Sequence, residues 1–258
     1  MKNTKKIIEK ILAGIIALVI IGFILFIANS LLGNPISVKN ANKDIKEYVD
    51  KNYSDLNLEV EEAKYEYQEG SYVAMAKSKT SIDTKFQIYY KDGEVYRDDY
   101  ERDVMELSNT QERLLGEYSN NVQKIVSEEL GYVDNTSMVC LDKEGNSNVQ
   151  NTLKLDMELD KTLSTNTEVV LRIELEDKSI ENIAKVLTDA YKALMAKDCN
   201  FSKYSLEVDK QKIGDKNGAY VIVSNVSAEY IKSGNLVNLL RKGGEDKEGD
   251  GIFVMIND

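Results

Sequence analysis

Phe86-Gln87-Ile88-Tyr89-Tyr90-Lys91-Asp92-Gly93-Glu94-Val95-Tyr96-Arg97 is the stretch whose reading decides the fold of this 258-residue chain. Phe86, Ile88 and Tyr90 alternate with Gln87 and Tyr89, so an extended backbone buries the first three on one face and exposes an aromatic-bearing face on the other. Asp92-Gly93 then closes a hairpin, because a type I′ turn needs positive φ at both central positions and these two residues tolerate it. The runs at 58–68 and 71–78, parted by Glu69-Gly70, add strands to an antiparallel meander. Upstream, Ala41, Ile45, Tyr48 and Val49 recur at helical spacing with lysines and acids between them, which predicts an amphipathic helix covering one face of the sheet. Residues 35–100 read as one α+β module, entered through Gly33-Asn34-Pro35, a helix break with the chain's only proline.

Toward the N-terminus the periodicity disappears. Residues 11–28 carry no charged or strongly polar side chain; at about 1.5 Å per residue they span roughly 27 Å of helix, close to a bilayer's hydrocarbon thickness. A transmembrane helix over 11–32 is predicted. Lys2, Lys5, Lys6 and Lys10 precede the run, and only Lys39 and Lys43 follow within the next fifteen residues. The positive-inside bias then puts residues 1–10 in the cytoplasm and everything after residue 32 outside, as a single-pass cell-membrane protein. A cleaved signal peptide ending near Ala28-Asn29-Ser30 is the alternative; the run exceeds the roughly 7–15 residues of a usual signal core, which favours retention.

Downstream, Leu114, Leu115, Tyr118, Val122, Ile125 and Val126 form an apolar helical stripe that stops at Leu130-Gly131, making 101–131 a helical connector. A second α+β module, 132–258, follows. Strands are predicted over 137–141, 153–159 and 168–176, the last two as an antiparallel pair because Leu153, Leu155, Met157 and Leu159, then Val169, Leu171, Ile173 and Leu175, alternate with polar residues. Ile183, Val186, Leu187, Ala190, Tyr191 and Leu194 predict a helix with Ser179 as N-cap. Strands over 204–213 and 219–226 flank Asn217-Gly218, and a helix over 236–241 and a strand over 252–256 close the chain. From residue 168 the order is β-α-β-β-α-β, the ferredoxin-like pattern.

Charge and composition remove whole classes of function. The net charge is −11; the first ten residues contribute +3, so the remainder carries −14 and nucleic acid is excluded as a partner. The absence of histidine removes Ser-His-Asp and Cys-His catalysis and His-ligated zinc. No nucleotide-binding glycine motif or nucleophile elbow is present, and no cofactor is implied.

Two segments resemble a known family: Gly33-Asn34-Pro35-Ile36 directly after the apolar run, and 81–101, SIDTKFQIYYKDGEVYRDDYE. Together they are similar to the YfjL-like membrane proteins of low-GC Gram-positive bacteria. The resemblance implies a bacterial single-pass protein with small extracytoplasmic α+β domains, and it names no activity. The helix-then-meander layout also looks like PepSY and cystatin-like modules, some of which inhibit peptidases or sense partners outside the cell.

Three groups of residues are candidate sites. Asp246, Glu248, Asp250 and Gly251 reproduce the first half of an EF-hand loop, but Asn257 stands where the bidentate glutamate belongs; an acidic turn is the reading, with metal ligation as the alternative. Asp98, Asp99, Glu101 and Asp103 crowd beside Arg97 and Arg102, which suits a solvated mixed-charge face or, with one acid buried, acid/base work. Tyr65, Tyr67, Tyr89 and Tyr96 offer a partner-binding surface on the first sheet. Cys140 and Cys199 could pair outside a membrane, although two free buried thiols fit their spacing better. The expectation is a non-enzymatic binding module that meets a protein or the cell envelope; the alternatives are a carboxylate- or metal-dependent enzyme and a cation sensor.

Overall fold

The computed structural model describes residues 2–141, 152–161, 167–209, 220–243 and 251–257, and within the first helix the side chains of 10–24 and 27. The chain divides into two compact units, Met1–Asn109 and Thr110–Asp258.

The first unit opens with α1, Lys2–Leu32. Among the described residues no helix is long and apolar enough to cross a membrane. The transmembrane helix expected over 11–32 is therefore not supported, nor is the single-pass, N-terminus-inside topology that followed from it. Gly33, at φ +73°, ends α1 in the left-handed conformation that glycine adopts without steric cost. Asn34 then caps α2, Pro35–Asn52, its Oδ1 accepting from the Ile36 N–H at 2.9 Å, with Pro35 at the first helical position.

α2 buries Ala41, Ile45 and Val49 against an antiparallel sheet. β3, Ser71–Ser78, pairs with β4, Lys85–Lys91, which pairs with β5, Glu94–Asp98; along the other edge of β3 lie two short strands, β1, Leu58–Val60, and β2, Lys64–Glu66. The single strand expected over 58–68 is thus broken in two by Glu61–Ala63. Asp92 and Gly93 have φ +54° and +96°, the positive pair that the hairpin turn requires. The helix-facing positions Ala74, Ala76, Phe86, Ile88 and Tyr90 form the core. One π-helical turn, Glu101–Met105, leads out of the sheet.

The second unit begins with α3, Ser108–Leu130, whose Tyr118, Val122, Ile125 and Val126 belong to the second core. The helix expected as a connector is a structural layer of the C-terminal module. Its sheet runs β10-β9-β8-β7-β6: Phe253–Asn257, Tyr220–Ser227, Lys203–Asp209, Thr167–Arg172 and Met138–Leu141. Helix α4, Ile180–Met195, joins β7 to β8; α5, Ala228–Lys232, and α6, Leu236–Gly243, join β9 to β10.

Two expectations fail here. The ferredoxin-like pattern is a split βαβ unit, in which another strand separates the two parallel ones, whereas β7 and β8 are hydrogen-bonded neighbours. The edge of β7 that a returning strand would need holds β6, so β9 and β10 add outward from β8 instead. The 153–159 strand does not form either. Asp156 sits at φ +61° in a turn closed by Met157 N–H to Lys154 C=O, and both edges of β7 are already paired.

Candidate functional site

The β4–β5 hairpin sets the geometry of the strongest candidate. Tyr89 opposes Arg97 and Tyr90 opposes Val95, so Tyr96 is an extra residue on β5, a β-bulge. Unbroken alternation from the inward-facing Val95 would point Arg97 at the core and Asp98 at solvent. The bulge reverses both. Asp98 turns under the sheet, where its Oδ2 accepts the hydroxyls of Tyr48 and Tyr53 at 2.5 and 2.8 Å and its Oδ1 accepts the Tyr100 N–H at 3.0 Å. Burial, reinforced by the Asp98 carboxylate, raises both phenols above their ordinary range.

On the opposite face Arg97 lies over the Tyr89 ring, its guanidinium carbon 3.8 Å from the centroid, a cation–π contact. Tyr89 donates to Asp99 at 2.9 Å. Asp99, only 7% exposed, also pairs with Arg102 at 3.0 Å and lies 3.9 Å from Arg97. Burial and the Asp99 carboxylate push the Tyr89 phenol up, with Arg97 opposing. The turn between β2 and β3 comes alongside: Glu69 lies 3.6 Å from Arg97, accepts weakly from Tyr96 at 3.4 Å, and its backbone carbonyl accepts from Lys91 at 3.1 Å.

The four tyrosines expected on one surface are dispersed. Tyr67 and Tyr96 are 60% and 47% exposed. Tyr89 is 8% exposed, which corrects its reading as an outward aromatic: Arg97 covers it and Tyr96 sits 6.2 Å away. Tyr65, half-buried, packs on the core side against Tyr72 at 5.1 Å. What remains is a patch at the turn end of the sheet, Tyr96, Arg97 and Lys91 around Glu69, with Tyr67 exposed in the same turn as Glu69. Sequence reading missed Arg97 as its organiser. The usable signal was an arginine at a position where alternation pointed inward.

The acids at 98–103 do not converge. Asp98 and Asp99 are engaged on opposite faces of the sheet, Glu101 is exposed, and Asp103 pairs with Arg102 at 2.8 Å. Asp246, Glu248 and Asp250 lie outside the described residues; among the described ones no cluster of three or more Cys, Asp or Glu could hold a metal. Cys140, half-buried on β6, and Cys199, buried, are free thiols, and burial raises both. An apolar crevice in the second module, lined by Leu114, Leu115, Tyr118, Leu153 and Leu159, holds about 50 Å³. That is room for a water or two, far from the roughly 300–1,000 Å³ of a ligand pocket.

No curated protein and no solved structure matches this chain. Two family models do: the N-terminal domain of YfjL-like proteins matches residues 8–99, taking in the Gly33-Asn34-Pro35 elbow and the bulged hairpin, and the YfjL-like C-terminal domain matches residues 117–241, from within α3 to within α6. The chain belongs to the YfjL-like family.

Proposed function

We propose that this YfjL-like chain is a non-enzymatic binding protein that meets another protein through the turn end of its first sheet. The observation that carries the reading is exposed Tyr96 next to an arginine already held in place by Tyr89 and Glu69, with exposed Tyr67 in the same turn as Glu69. Tyrosine and arginine dominate binding energy at protein interfaces because they present large, stiff, amphipathic surfaces. Here the bulge that exposes Tyr96 also supports Arg97, so little ordering entropy is lost on contact. The absence of histidine and the prior engagement of Asp98 and Asp99 by phenols and guanidinium groups support a binding role over acid/base chemistry.

Photo-crosslinking tests this. A benzoylphenylalanine at position 67 or 96 in living cells is expected to give one and the same protein adduct, and the same probe at Lys51, exposed on α2, to give none. Adducts at position 51 equal to those at 67 and 96 would contradict a surface localised to the turns.

A further inference from the structure

Among the described residues, the elbow between α1 and α2 is held at Gly33 and Asn34. The described apolar side chains of α1 are exposed, Leu18 at 71%, and a Cβ added at Gly14 or Gly22 would meet nothing within 4 Å. At the elbow itself contact is tight. A Cβ on Gly33 would come within 2.7 Å of Tyr65 Cβ and Cγ and 3.0 Å of the Tyr72 hydroxyl. The Asn34 N–H donates to that hydroxyl at 2.8 Å, and the hydroxyl donates back toward the Asn34 carbonyl at 3.3 Å, so one phenol grips both polar groups of a single peptide residue. Tyr72 is in turn held by rings on either side, Tyr65 at 5.1 Å and Tyr90 at 6.5 Å, and Tyr90 donates to Asp44 on α2 at 3.0 Å.

We propose that Tyr72 is a positioning residue, a latch that sets the direction in which α1 leaves the first module. The dihedral angles of Gly33 and Asn34 alone determine that direction, since α1 ends before them and Pro35 begins α2. Glycine's left-handed conformation costs little to leave, because its other basins are equally open. The Asn34 cap fixes α2 but not α1. The reciprocal bond to Tyr72 is what removes the remaining freedom, and the tilted and edge-on ring contacts with Tyr65 and Tyr90 deliver its hydroxyl to one place. Gly33 is needed so that Tyr65 and Tyr72 can close over the backbone.

The test uses the full chain in a mild detergent that keeps the exposed apolar α1 from associating, with Cys140→Ser to remove the half-buried thiol and spin labels at Val19→Cys and Lys51→Cys. Electron–electron distance measurements should give one narrow distribution. Tyr72→Phe, which keeps the ring and its packing, should broaden it at least twofold while thermal unfolding of the module moves by only a few degrees. Gly33→Ala, strained at φ +73° and pressed on Tyr65, should displace the mean. A Tyr72→Phe distribution that superimposes on the parent's overturns the latch. The unsubstituted chain offers a second readout: the Asn34 amide should exchange with solvent at least tenfold more slowly than its free-peptide rate, and exchange at that rate overturns the proposal as well.

Discussion

Asp98 binds three donors with two oxygens: Tyr48 from α2, Tyr53 from the turn after it, and the Tyr100 backbone. Its removal leaves two phenols in a half-buried setting without an acceptor, and an orphaned donor there costs about 1–3 kcal/mol. Asp98→Ala is expected to destabilise the first module by roughly 2–4 kcal/mol in urea unfolding, and Asp98→Asn, which keeps one acceptor oxygen, by about half of that. A loss below about 0.5 kcal/mol for Asp98→Ala would mean the phenols find water instead. The same site makes stability depend on alkaline pH. Tyr48 and Tyr53 have folded-state pKa values raised above 10, chiefly by burial with the Asp98 carboxylate adding. The folded state therefore keeps protons that the unfolded chain releases, so the contribution is complete below about pH 10 and shrinks as pH rises beyond it. Denaturation midpoints measured from pH 8 to 11 should be flat and then fall, and the fall should be weaker in a Tyr48→Phe, Tyr53→Phe double variant.

The elements most legible in the sequence were those whose local signals agreed. Ser179 caps α4 through the Asn182 N–H and the helix buries Ile183, Val186, Leu187, Ala190 and Leu194, the stripe its spacing predicts. Ser179→Ala should cost about 1 kcal/mol and Leu187→Ala, fully buried, about 2–5 kcal/mol by thermal or urea unfolding. The Asp92-Gly93 turn was legible for the same reason: its residue pair has few other uses. What could not be read was competition between elements. Leu153 to Leu159 alternates as cleanly as β7 does, but a strand also needs a free edge, and β6 and β8 occupy both sides of β7. The ferredoxin-like order failed through the same occupied edge. The candidate site was half legible: tyrosine content pointed to the first sheet, where the candidate patch lies, but one inserted residue in β5 decides which tyrosine is buried and which is offered. The bulge leaves only a misplaced arginine as its trace.

At the scale of the whole molecule, two cores with separate membership account for the division at Asn109 and Thr110. Ala41, Ile45, Phe86 and Ile88 pack in one, and Val122, Val169, Leu187 and Leu206 in the other. Because, among the described residues, the first core draws on nothing beyond Val104 and its partly buried neighbours end at Tyr100, a fragment of residues 33–109 should melt cooperatively with its tyrosine near-ultraviolet signal intact. A broad, non-cooperative melt would show that α1 or the second module is needed for folding. The central claim concerns the turn end of this unit, and binding energy decides it. With the partner captured through position 67 or 96 in purified form, Tyr96→Ala and Tyr67→Ala in the full chain should each raise the dissociation constant by about tenfold or more, a loss of about 1.4 kcal/mol, while Lys51→Ala leaves it unchanged. Equal affinities for all three variants and the parent would contradict the account.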